Sequence, residues 1–357
     1  MKINDTVYLM KVQDNPISHP CSYIHPCIHN LYMIVTIFVP MIDIISLTKI
    51  YKKREKGIFS RKKKILALDH IDLHMNKREV FGLIGPNGAG KTTLIKILST
   101  LVIPDEGTAT INGYDLLTQE SKIKELLGVV TGEYARSLYW RLTGKENLEF
   151  FSDLYDMERK VAKERIEELL EFFGLADWAN ELVMKYSTGM KHKLALARAL
   201  LTDPPILLLD EPTTGIDPKS SYDIRKFVRG TLKDKTILWT SHNLFEIEQV
   251  CDRVAMIHKG RIMMQGDPGE LKASYQSYIK LRVELTSQAS GLFSDLEGAA
   301  MENEYVFEVL CTDLTATIQE IDDILRERHL KVKNIQTLTP SLEDLFIGKM
   351  EEEHEPS

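Results

Sequence analysis

The residues Gly85-Pro86-Asn87-Gly88-Ala89-Gly90-Lys91-Thr92-Thr93 have the order of a loop built to hold an anion. Glycines let a backbone curl until several N–H groups point at one spot. Before the loop, Val80–Ile84 is a short continuous apolar run, expected as a buried parallel strand. After it, Leu94-Ile95-Lys96-Ile97-Leu98 has helical spacing. Strand, glycine-rich loop and helix form the context in which G-x-x-x-x-G-K-T becomes a phosphate-binding P-loop. The positive end of the helix then faces the anion. Lys91 is expected to reach the β- and γ-phosphates of a nucleotide, and the Thr92 hydroxyl to ligand Mg2+.

A second group of chemical residues stands far downstream. Ile206-Leu207-Leu208-Leu209 ends in Asp210-Glu211, and Thr236-Ile237-Leu238-Trp239-Thr240 ends in Ser241-His242. Asp210 suits a buried carboxylate facing the magnesium ion. Glu211, one residue on, points to the other side of the strand end, where it can polarise a water for in-line attack on a γ-phosphate as general base. His242 could contact the same phosphate and report its presence.

These groups need a scaffold that brings strand ends together. A further apolar run, Val254–Ile257, turns at Lys259-Gly260 into Ile262-Met263-Met264, while helical patterns separate the other runs. Such alternation predicts an α/β fold, a largely parallel sheet with its chemistry at the carboxyl ends of the strands and with antiparallel edge strands. Helical periodicity dominates from Lys145 to Asp177, an insertion between two halves of the sheet in which Tyr139-Trp140 could mark a docking surface. After about residue 275 the texture changes to a small separate α+β unit without glycine-rich loops, followed by an acidic tail over 351–357 expected to be disordered.

Composition bounds the partners. Of 357 residues, 43% are hydrophobic and 27% charged, as in a soluble globular protein, and the net charge of −7 gives no general attraction for nucleic acid. Four scattered cysteines make no disulfide framework and fit a reducing cytosol. The most apolar run, Leu31 to Ile42, is broken by Thr36 and Pro40 and falls short of the roughly 20 residues a membrane span needs. Residues 1–40 read as a disordered leader or an upstream extension, with Met41 as the start. Their His19-Pro20-Cys21, His25-Pro26-Cys27 and His29 fit no common zinc-finger spacing. The segment from Lys52 to Lys64 carries eight Lys or Arg residues and is expected as a solvated loop between edge strands, or as a patch near anionic lipid headgroups.

Tyr186-Ser187-Thr188-Gly189-Met190 precedes a helical stretch, Lys193 to Leu200, and then Asp203-Pro204-Pro205 and the acidic strand. This resembles the signature segment of ATP-binding cassette (ABC) proteins, usually L-S-G-G-Q. Asp210-Glu211-Pro212-Thr213-Thr214-Gly215-Ile216-Asp217-Pro218 resembles their acidic strand and following loop, and Thr240-Ser241-His242 their switch histidine. The C-terminal Thr339-Pro340-Ser341-Leu342-Glu343-Asp344-Leu345-Phe346 is similar to the small domain of exporter cassettes of the daunorubicin-resistance and sodium-efflux type.

The resemblance implies an ABC ATPase domain over 41–275, with a helical subdomain at about 134–200, and a C-terminal domain over 276–350. It implies that Tyr51 stacks on adenine, with Phe59 as the alternative. Ser187, Thr188, Gly189, Met190 and Asp217 would complete the ATP site, Ser187 and Gly189 as the donors aimed at the γ-phosphate of a facing subunit. Glu133 stands where the family usually has a glutamine that touches magnesium; Thr188 and Met190 also depart from the signature. One P-loop and one signature imply a homodimer around two ATP molecules, peripheral on the cytoplasmic face of the cell membrane. It would drive separate permease subunits, with export of a drug, lipid or ion as the expected outcome. The rival reading is a soluble cassette ATPase acting on nucleic acid or ribosomes; such chains usually carry two cassettes or long coiled coils.

Overall fold

A computed structural model describes residues 7–11, 32–36, 40–54, 62–132, 137–274, 279–288, 299–311, 313–338 and 342–346. Strands β1 (Val7–Lys11) and β2 (Tyr32–Thr36) pair antiparallel in a sheet of their own, so the segment expected to lack structure carries this much of it. The histidines and cysteines between them lie outside the described residues.

The body has two sheets. Strands β3 (Ile42–Arg54), β4 (Lys62–Met75), β6 (Glu106–Ile111) and β7 (Tyr114–Asp115) form an antiparallel sheet in the order β4-β3-β6-β7. The basic segment, expected as a loop, therefore begins and ends as strand, because β3 and β4 stay paired as far as Arg54 opposite Lys62. The second sheet uses β5 (Val80–Ile84), β8 (Leu127–Val130), β9 (Ile206–Asp210), β10 (Thr236–Ser241), β11 (Arg253–His258) and β12 (Arg261–Gly266). Its order is β12-β11-β5-β10-β9-β8, parallel throughout except for β12 against β11.

Both faces of the parallel sheet are covered, which is why its strands read as continuous apolar runs. In β9 the side chains alternate: Ile206 and Leu208 join a core with the antiparallel sheet and helix α1 (Lys91–Leu98), while Leu207 and Leu209 join the core on the other face. Helix α2 (Glu120–Leu126) precedes β8. The second core is closed by α3 (Gly144–Leu154), α4 (Arg159–Phe172), α5 (Thr188–Ala199), α6 (Pro218–Thr231) and α7 (Leu244–Val250). Helix α3 starts on a capping box between Thr143 and Glu146, so its start is defined by sequence as well as by packing.

Beyond α8 (Pro268–Ser274), strands β13 (Ile279–Leu285), β14 (Ala299–Asn303), β15 (Val306–Cys311) and β16 (Val332–Leu338) make a sheet in the order β14-β15-β13-β16. Helix α9 (Leu314–Glu327) covers it through Ile321 and Leu325. Strand β14, Ala-Ala-Met-Glu-Asn, escapes sequence reading because it is an edge strand without β-branched or aromatic residues. The unit is also less separate than expected. Over residues 342–346 the chain makes a short helical segment whose Leu342 and Leu345 are fully buried in the core that α7 closes. The Leu342 N–H donates to Glu248 Oε1 of α7 at 3.1 Å, and Asp344 pairs with Lys280 of β13 at 2.9 Å.

Among the described residues no helix is long and apolar enough to cross a membrane. Cys251 and Cys311 are free and buried.

Candidate nucleotide site

The glycine-rich loop joins β5 to α1. Gly90 caps the helix with φ 119°, and a Cβ there would stand 2.6 Å from the Ala67 carbonyl oxygen; both the dihedral and the space demand glycine. At Gly85 a Cβ would meet the Ile257 carbonyl oxygen at 2.2 Å, so β11 forces the loop close to its neighbour. The loop is pinned by Ala89 N–H donating to the Pro86 carbonyl and Gly260 N–H to that of Ala89. Asn87 and Gly88 are exposed, as is Thr92, while Thr93 is half-buried.

Lys91 is the first residue of α1 and is 5% exposed. Its ammonium donates to the Gly85 carbonyl at 2.6 Å and lies 3.3 Å from Glu211 Oε1. Glu211 follows β9 with φ +50°, a left-handed conformation that costs a non-glycine residue roughly 1–2 kcal/mol. The tight turn is held by the Glu211 N–H, which donates to the Thr240 carbonyl and hydroxyl, both at 3.1 Å. Glu211 Oε2 accepts from Thr214 Oγ1 at 3.0 Å and faces His242 Nδ1 at 3.1 Å. Burial pushes the Glu211 carboxyl up, but the Lys91 charge, the Thr214 hydroxyl and the His242 charge together outweigh it and hold the group below the usual glutamate range. It is an ionised carboxylate at neutral pH.

Asp210, 2% exposed, ends β9 with Oδ1 accepting from Thr240 Oγ1 at 2.7 Å. Its other oxygen faces Gly132, where a Cβ would be 3.9 Å from Oδ2. Glu133, the next residue, lies outside the described residues, as does Phe59. Tyr51 is 37% exposed, with the Lys49 ammonium 5.7 Å from its ring centre.

Thus Lys91, Asp210, Glu211 and His242 come together at the carboxyl ends of β5, β9 and β10, across 151 positions of sequence from Lys91 to His242. The signature residues do not join them. Ser187 caps α5, accepting from Met190 N–H at 3.2 Å, and is exposed, as is Thr188. Buried Gly189 packs instead on the start of α6, where its Cβ would be 2.9 Å from Ser220 Oγ and 3.4 Å from Asp217 Oδ2. Asp217 caps α6 through the Ser220 N–H. Among the described residues no hydrogen bond or ion pair links the signature to the P-loop of its own chain.

Sequence reading passed over three supports. Thr240 steadies both acids. His192, almost wholly buried in α5, bonds the Pro212 carbonyl at 3.0 Å, and burial pulls its pKa down to about 4, so it is neutral. Glu246 of α7 is 8% exposed and gathers Thr213, Ser221 and Arg225. The available signal was its spacing of four residues from His242 at the start of a helix; nothing in the sequence shows that it points inward.

The sequence pattern of the family described as ABC transporter matches residues 68–214. The ABC transporter ATP-binding protein NatA of Bacillus subtilis is 42% identical over 221 residues, covering 61% of this chain and 88% of NatA. The daunorubicin/doxorubicin resistance ATP-binding protein DrrA of Streptomyces peucetius is 36% identical over 297 residues, 79% of this chain and 87% of DrrA.

The chain belongs to the ABC transporter ATP-binding proteins.

A solved ATP-binding cassette, a dimer in a post-hydrolysis state with ADP and Pi, is similar with a TM-score of 0.55 at 26% identity, covering 64% of this chain and 98% of that one. As an ABC transporter ATP-binding subunit, this protein binds ATP and is an ATPase.

Proposed function

We propose that this subunit closes against a second copy around two ATP molecules and drives a separate permease in export of a drug, lipid or ion from the cytoplasmic face of the membrane. The observation that carries the catalytic half is Glu211, ionised and held between Lys91 and His242 at the mouth of the P-loop. Lys91 exchanges its carbonyl and carboxylate partners for phosphate oxygens. Glu211, released from that ion pair, takes a proton from the attacking water. His242 stays hydrogen-bonded to Glu211 and reaches toward the γ-phosphate. Tyr51, exposed on β3, supplies an aromatic face for adenine.

The oxygen donors Thr92 and Asp210, with Glu133 following Gly132, suit a hard cation such as Mg2+. When bound, the ion would neutralise phosphate charge and orient the β- and γ-oxygens. Asp210 is prepared for this by burial and by its bond to Thr240.

Two facts support closure between copies. Ser187 and Thr188 stand exposed at a helix N-terminus, where an anion is welcome, and the similar solved cassette is a dimer. The exporter reading is supported by relatives named for daunorubicin and linearmycin resistance. The test is Glu211→Gln: loss of a general base costs about 10²–10⁴ in rate. The variant is expected to bind ATP, lose turnover and elute as an ATP-dependent dimer. Normal turnover would remove Glu211 from the role of base.

A further inference from the structure

The segment 52–64 has eight cations and one acid in a protein whose net charge is −7. Its fold makes this concentration sharper. β3 pairs with β6 only as far as Thr48 opposite Glu106, whereas its pairing with β4 runs on to Arg54. β4 is the edge strand, so beyond Thr48 the two strands continue as a two-stranded ribbon. The register then sets Lys52 opposite Lys64, Lys53 opposite Lys63 and Arg54 opposite Lys62.

Like charges directly opposite each other destabilise a strand pair, and a two-stranded ribbon has little stability to spare. Three successive cation pairs are the opposite of what a ribbon surrounded only by water would use. At its root Lys49 is paired with Asp105 at 3.1 Å, but Lys52 and Lys64 are exposed and make no ion pair among the described residues. Next to the cations, Ile65 and Leu66 are 42% and 46% exposed, an apolar pair beside the charges.

We propose that this ribbon is a contact site for an anionic lipid surface: the basic residues that its register brings together answer the negative headgroups, and exposed Ile65 and Leu66 offer apolar area to the interface. Charge complementarity selects an anionic partner. The exposed Ile65 and Leu66 favour a bilayer over nucleic acid, which offers no apolar layer. This goes beyond the transport reading and is tested without a permease, so its failure leaves that reading standing.

The experiment is co-sedimentation of the full chain with vesicles of phosphatidylcholine, with and without phosphatidylglycerol. Binding is expected only to the anionic vesicles and is expected to fall as salt rises. Each basic residue near such a surface contributes about five-fold in affinity, so Lys62→Gln/Lys63→Gln/Lys64→Gln is expected to weaken binding by about 100-fold while ATPase activity in solution is unchanged. Lys63→Glu adds a second signature: facing Lys53, it is expected to raise the melting temperature as it lowers vesicle affinity. Equal binding to neutral vesicles, an active triple variant that still sediments with anionic ones, or tighter binding to duplex DNA than to anionic vesicles would each overturn the proposal.

Discussion

Replacing Glu246 by alanine removes the centre of a buried network beside the proposed catalytic cluster. Its Oε2 accepts from Thr213 Oγ1, and its Oε1 accepts from Ser221 Oγ at 2.9 Å and from Arg225 Nη1 at 3.1 Å. The two charged side chains are 10% and 14% exposed, so water restores little of what alanine removes. Breaking one side of a buried ion pair costs about 3–5 kcal/mol, and each hydroxyl that loses an acceptor about 1 kcal/mol more. Arg225 keeps its bond to Ser221, and these losses are not additive, so we expect about 3–4 kcal/mol in all. With a urea slope of about 2–3 kcal/mol per molar, the unfolding midpoint falls by roughly 1–2 M. Glu246→Gln keeps the shape and one acceptor oxygen and should lose about half as much. The network ties Thr213, two residues past Glu211, to the helix that follows His242. Alanine is therefore also expected to lower kcat at temperatures where the variant is fully folded. Equal midpoint shifts for alanine and glutamine, or no shift for either, would show that Glu246 does not hold this network together.

Thr214→Ala removes a hydroxyl that stabilises the charged form of Glu211, so the Glu211 pKa rises and the acidic limb of the single-turnover pH–rate profile moves to higher pH. An unmoved limb in the variant would show that another group sets it. Leu345→Asp puts a carboxylate into a site that is 1% exposed and should lower the melting temperature of the whole protein, because that residue packs in the cassette core. If only the C-terminal sheet unfolds early, as judged by hydrogen exchange, the docking is not structural. Ser187→Arg should leave ATP binding to the isolated subunit intact while blocking the ATP-dependent dimer expected of Glu211→Gln; lost binding in the monomer would argue against a site shared between copies.

The P-loop and the two strand-end acids were legible because their chemistry is contiguous. A glycine-rich turn, its lysine and the helix behind it are neighbours in the chain, and each local residue type has a local physical reason. The two-sided burial of the parallel strands was legible for the same reason, as continuous apolar runs. Pairing across the sheet was not. That β10 lies between β5 and β9 brings His242 and Thr240 against the acids of another strand, and strand order depends on packing hundreds of atoms that no short segment contains. The inward turn of Glu246 and the neutral burial of His192 were hidden likewise, since a polar residue goes inside only where distant partners satisfy it. Register explains the remaining surprises. A basic run looks like a loop until its two arms are paired cation against cation, and Leu342 and Leu345 look like part of a separate unit until Glu248 of α7 accepts the backbone N–H that docks them.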